Sequence, residues 1–119
     1  MSSNAAYSPF VVAGDWIAVS GQIGAVNGVL AAGFEEQSRL ALANLEAHLV
    51  SAGATLADIV KVTVFLHDLD DYPALNEVFV AAFGAHPPAR SAIAVAGLPF
   101  GSLVEIEAWA HLPGQSRAG

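Results

Sequence analysis

Eleven Asp and Glu stand against only four Lys and Arg, a formal charge of −7, so each cation in this chain is conspicuous. Arg90 is the most informative of them. It lies in an otherwise apolar run, PPARSAIAVAG, at the expected start of a strand. An acidic protein repels an anionic ligand unless a cation is placed for it. Arg suits that task, because its planar fork binds a carboxylate in bidentate fashion. The other explanation is a structural ion pair with Glu105 or Glu107. Those glutamates stand two apart in VEIEAWA, so on a strand both carboxylates point to one face. In a cleft, one could serve as a general base with a raised pKa. On a solvated face they are ordinary surface residues. Tyr7, in YSP ahead of the first strand, is placed to cover a pocket and offer its hydroxyl, or simply to pack a terminus. Ser20-Gly21-Gln22 ends a strand. Gly21 there either admits a ligand close to the backbone or marks a plain bulge. Asn76, near the start of a helical segment, reads by itself as a surface residue.

Other chemistries lack their residues. The chain has no Cys, which removes disulfides, thiol nucleophiles and thiolate metal sites. His48, His67, His86 and His111 are scattered without an HExxH motif or an i, i+4 pair, so no metal is expected. GQIGAVNG has the wrong spacing for a P-loop or dinucleotide fingerprint, and no GxSxG elbow occurs. Four cations are too few for a phosphate-binding patch, which argues against nucleic acid.

Hydrophobic residues make up 55% of the 119 residues and charged ones 13%, about half the usual ~25% charged. That composition excludes disorder and suits a single domain over residues 1–119. It also supplies more apolar surface than one small core hides, which points to subunit interfaces. Residues 16–34 and 91–104 carry no charge, but Gly, Gln, Asn and Pro interrupt them, so neither reads as a membrane span. The first four residues, MSSN, show no signal-peptide pattern, and a cytoplasmic protein is expected. PGQSRAG at 113–119 reads as a loose tail.

The elements that must position these residues follow from pattern. Residues 10–13 and 16–21 form a hairpin around Gly14-Asp15, and Asn27-Gly28 marks a second turn before a short strand at 29–31. Phe34, Ala41, Leu42, Leu45 and Leu49 make one helical stripe within 34–52, ended by Gly53. Residues 60–66 form a strand with Val60, Val62, Val64 and Leu66 on one face. Asp70 or Asp71 caps a second helix, with Leu75, Val78, Phe79, Ala82 and Phe83 as its core stripe and Gly84 at its end. Strands at 89–96 and 103–112 complete the chain. The result is an α+β domain with two helices on one face of a mostly antiparallel sheet. If the last two strands pair as a hairpin, their register decides whether Arg90 shares a face with Glu105, and the loop between them leaves both registers open.

Four segments in order carry a resemblance: YSPFVVAGDWIAVSGQIG, then FEEQSRLALANLEAHLVSAGATLADIVKVTVFLHDLDDY, then LNEVFVAAFGAHPPARSAIAVAGLP, then VEIEAWA. Together they make the chain resemble the RidA/YjgF family of small enamine/imine deaminases from Tyr7 to Ala110. The resemblance implies a chorismate-mutase-like α+β fold, a homotrimer with ligand clefts between subunits, and hydrolysis of 2-enamine/2-imino acids to 2-keto acids and ammonia. It implies no cofactor, no metal, no nucleic acid and no membrane. The family's carboxylate-binding arginine falls on Arg90 and its water-orienting glutamate on Glu105. Its cleft tyrosine falls on Tyr7, its strand-end Ser-Gly on Ser20 and Gly21, and its helix asparagine on Asn76. A water-positioning carbonyl falls on Ala92, where the family often has Cys. The chain departs from the family pattern at Pro9 and Phe100 as well. Alternative readings are a trimer that binds small carboxylates without turnover and a deaminase of another catabolic enamine. Ribonuclease or protein-binding roles are a third, and the charge argues against RNA.

Overall fold

The computed structural model describes residues 5–113. Seven strands and two helices follow one another as β1 (Phe10–Ala13), β2 (Trp16–Ile23), β3 (Ala25–Val26), β4 (Val29–Leu30), α1 (Phe34–Ser51), β5 (Ile59–Leu66), α2 (Tyr72–Phe83), β6 (Ala89–Ala94) and β7 (Val104–His111). The alternation in β7 is as the sequence requires. Val104, Ile106, Ala108 and Ala110 are buried, and Glu105, Glu107, Trp109 and His111 occupy the other face. β7 is the middle of a five-stranded sheet with order β1-β2-β7-β5-β6. All pairings are antiparallel except β5 with β6. β6 therefore lies beside β5 and not beside β7, and the expected hairpin register between the last two strands does not arise.

Both helices cover one face. The stripe of α1 is buried against Ile17, Val62, Ile106 and their neighbours. Gln37 and Ser38 are buried with it. Gln37 binds two loops at once: its Nε2 donates to the Ala31 carbonyl at 3.0 Å, and its Oε1 accepts from the Leu103 N–H at 2.8 Å. Such a clamp is needed because buried backbone groups must be paired. Asn27 and Gly28 both take positive φ, 52° and 79°, in the turn of the β3–β4 ribbon, which matches the demand of a tight hairpin turn.

Several local expectations are corrected. Val60 does not join the buried face, because the register of β5 on β7 shifts between Ile59 and Lys61 and turns Val60 outward. Ile59 is buried in its place. Ala82 is exposed, and α2 buries Leu75, Val78 and Phe79. Asp71 holds the N-cap position of α2 as expected, but its side chain makes no capping hydrogen bond. Asp68 instead accepts from the Asp70 N–H at 2.9 Å and starts a short 3-10 turn that leads into the helix. β6 stops at Ala94. The tail expected at 113–119 lies outside the described residues after Pro113. Among the described residues, no helix is long and apolar enough to cross a membrane.

Candidate active site

Arg90 sits at the second position of β6, an edge strand. Its register partner Val62 is buried and faces the helices, so Arg90 points to the helix side of the sheet. There its Nη2 donates to Asn76 Oδ1 at 2.6 Å. Its guanidinium carbon lies 5.2 Å from the Tyr72 ring centroid and 4.9 Å from that of Phe79, within reach for cation–π attraction. Among the described residues Arg90 makes no ion pair; the pairs found are those of Arg39 with Glu35 and Glu36. Within one chain the ion-pair explanation with Glu105 or Glu107 therefore fails. The side chain is held by an amide and two rings, with N–H groups to spare for an anion. Ala92, two residues on, turns its methyl onto the core.

Glu105 belongs to a different place. It pairs with Ile23 on one side and Phe65 on the other, on the sheet face opposite the helices. Partial burial, and then the neighbouring Glu107 carboxylate, push Glu105 above the usual carboxylate range. Its carboxylate lies over Gly21. A Cβ at position 21 would overlap Glu105 Oε2, so this glycine lets the carboxylate approach the backbone closely, and its φ is not of the left-handed kind. The register of β2 on β7 slips between Val19 and Gln22. Ser20-Gly21 is thus a bulge and a close-approach site at once, since bulges re-aim neighbouring side chains.

Ser20 fastens the N-terminal segment to this cluster. Its hydroxyl donates to the Ser8 carbonyl at 2.6 Å, and its N–H donates to the Pro9 carbonyl at 2.9 Å. Pro9 lacks an N–H but keeps that acceptor. Tyr7 is 72% exposed at the mouth of a cavity of about 450 Å³, with Gly21, Gln22, Asn44 and His48 around it. Phe100 holds φ 59° and is 82% exposed in the turn ahead of β7.

The expected site residues therefore fall into two groups. Arg90 and Asn76 meet on the helix side at the sheet edge. Gly21 and Glu105 meet on the open face, and Ser20 ties to them the N-terminal segment, whose Tyr7 lines a cavity with Asn44 and His48 of α1. One chain does not bring the groups together. Tyr72 and Phe79 escaped the sequence reading as companions of Arg90. Their signal is the spacing Tyr72, Asn76, Phe79, which is i, i+4, i+7 on one helix face. The chemistry available is a fixed cation for a carboxylate in one group and a proton-accepting carboxylate in the other.

A family model described as Endoribonuclease L-PSP matches residues 1–112. A RutC family protein of Pyrococcus horikoshii is 39% identical over 108 residues, covering 88% of this chain and 86% of its own. The 2-iminobutanoate/2-iminopropanoate deaminase of Rattus norvegicus is 42% identical over 106 residues, covering 87% of this chain and 77% of its own. The crystal structure of Escherichia coli TdcF with bound serine superposes with a TM-score of 0.85 at 38% identity, over 92% of this chain and 90% of that one.

Proposed function

The chain belongs to the RidA/YjgF family, described by its model as Endoribonuclease L-PSP, and on that premise we propose a hydrolytic deaminase of 2-imino acids whose site forms between copies in a homotrimer. The observation that carries the reading is the division of the site. Arg90 and Glu105 lie on opposite faces of one sheet, which supports a site completed by a second copy. Trp16, Trp109, Ile93 and Val11 leave the open face partly apolar and exposed, which gives such an assembly a surface to bury. The rat relative carries an imino-acid deaminase name, and the TdcF structure holds an amino acid, serine. Both support a small amino-acid-like ligand.

In this reading Arg90 binds the substrate carboxylate, with its fork oriented by Asn76 and the two rings. Charge-assisted bonds of this kind are each worth about 1.5–3 kcal/mol net. Glu105 of the adjacent copy takes a proton from water as the oxygen adds to the protonated imine carbon and the C=N π pair moves to nitrogen. Glu105 then gives that proton to the nitrogen. The C–N bond breaks with ammonia leaving, and the hydroxyl proton returns to Glu105, leaving a 2-keto acid. Ammonia takes up the last proton. A carboxylate with a raised pKa is a better base for this step than an ordinary one. The ribonuclease role is disfavoured by four Lys and Arg against eleven Asp and Glu.

The test is keto-acid formation from imines generated in situ by an amino-acid oxidase. Acceleration by the wild type, lost in Arg90→Ala with fold and assembly intact, is the expected result. No acceleration for any imine would overturn the reading and leave carboxylate binding without turnover.

A further inference from the structure

Beside Arg90 lies an open groove of about 210 Å³. Asn76, Val80 and Gly84 are spaced i, i+4 and i+8 and form one stripe along α2 toward its C-terminus. The stripe starts at the Arg90–Asn76 hydrogen bond, continues with an isopropyl group and ends at a residue without a side chain. Phe79, Pro87 and Pro88 complete the lining. Arg90 and Asn76 therefore supply its only polar side chains, both at one end. Val80 is 70% exposed, an apolar group that no internal packing explains. A site with one cationic end and apolar walls fits a small amphipathic acid.

We infer that this groove receives the substrate's side chain, that Val80 is its specificity-determining residue, and that 2-imino acids with longer aliphatic side chains are preferred over those with a methyl or ethyl group. The inference rests on Arg90 as the carboxylate anchor. It goes beyond the one- and two-carbon side chains in the name of the rat relative. Val80 sits one turn beyond Asn76, so a ligand anchored on Arg90 extends its chain along Val80 toward the gap at Gly84. Each buried methylene is worth roughly fourfold in affinity.

The test is calorimetric titration with two product-like acids, 4-methyl-2-oxopentanoate and pyruvate, which reads the pocket without depending on turnover. The wild type is expected to bind the longer acid about tenfold more tightly, allowing for incomplete burial of its three extra carbons. Val80→Phe fills the groove from an exposed helix position and is expected to bring the two affinities within about twofold. Ala81→Phe points into the separate groove between α1 and α2 and should leave the ratio as in the wild type. Equal affinities in the wild type, or a ratio that Val80→Phe does not move, would overturn the inference. So would failure of either acid to bind, which removes the carboxylate anchor as well. A preference that Val80→Phe abolishes, in a protein that hydrolyses no imine, would sustain the pocket and sink only the deaminase reading.

Discussion

Arg90→Ala and Glu105→Gln disable different groups of residues, and the placement of those groups makes a mixing experiment decisive. Arg90 faces the helices from the edge strand β6, and Glu105 faces away from them on β7. If each cleft draws Arg90 from one copy and Glu105 from the next, each variant alone has three defective clefts. Removing the guanidinium deletes one or two charge-assisted bonds, about 1.5–3 kcal/mol each, or roughly 10- to 10⁴-fold in kcat/KM at ~1.4 kcal/mol per decade. Now let the two variants be mixed in equal amounts and reassembled. Half of the copies offer Arg90, and half of their neighbours offer Glu105, so about a quarter of the clefts regain both. The assay is keto-acid formation per chain, with native mass spectrometry to verify that mixed trimers have formed. Activity near a quarter of the wild type is expected from two inactive parents. Mixed trimers that remain at the parental level would refute the divided site.

Four further outcomes follow from the geometry. Gly21→Ala places a methyl on the Glu105 carboxylate. The displaced group is the flexible end of a side chain, so stability should fall by less than about 1 kcal/mol, while a misplacement of ~1 Å costs about 10²-fold in kcat/KM. Ser20→Ala removes the tie to the Ser8 carbonyl; thermal denaturation should show a loss of about 0.5–1.5 kcal/mol, and KM should rise as the Tyr7 segment loosens. Glu105 is raised above its ordinary value of 4.5, so the native state holds this proton to higher pH than the unfolded chain does. Its ionisation therefore erodes stability as pH rises through that window; Glu105→Gln should match the wild type below pH 4.5 and exceed it at neutral pH, and the acid limb of kcat/KM should lie above 4.5. Gln37→Met leaves the Leu103 N–H and Ala31 carbonyl without their partner; denaturant titration should show a loss of about 2–4 kcal/mol, set by the desolvation cost of each orphaned group.

Much of this protein is legible in local pattern. A strand alternates with period two and a helix with period 3.6. β7 therefore declared its buried face residue by residue and α1 its apolar stripe, though not the buried Gln37 and Ser38, and the β3–β4 turn declared itself through Asn27-Gly28. The same rule put Glu105 and Glu107 on one face. Local pattern also marked Gly21, although it left open whether a bulge or a close contact required the glycine. Both are present, because the slip in β2 brings the backbone beneath Glu105. Tertiary structure decided the remainder. Strand order is a long-range property, and nothing in the loop after β6 said that β5 would separate β6 from β7. That insertion sends Arg90 to the helix side and away from Glu105. The same long-range hydrogen bonding expels Val60, since one slipped residue reverses a strand's facing. Asn76 and Arg90, fourteen residues apart, meet only because α2 packs beside the parallel strand that follows it. Residue types and periodicities thus named the chemical groups, while the pairing of distant strands determined which of them one chain can bring together.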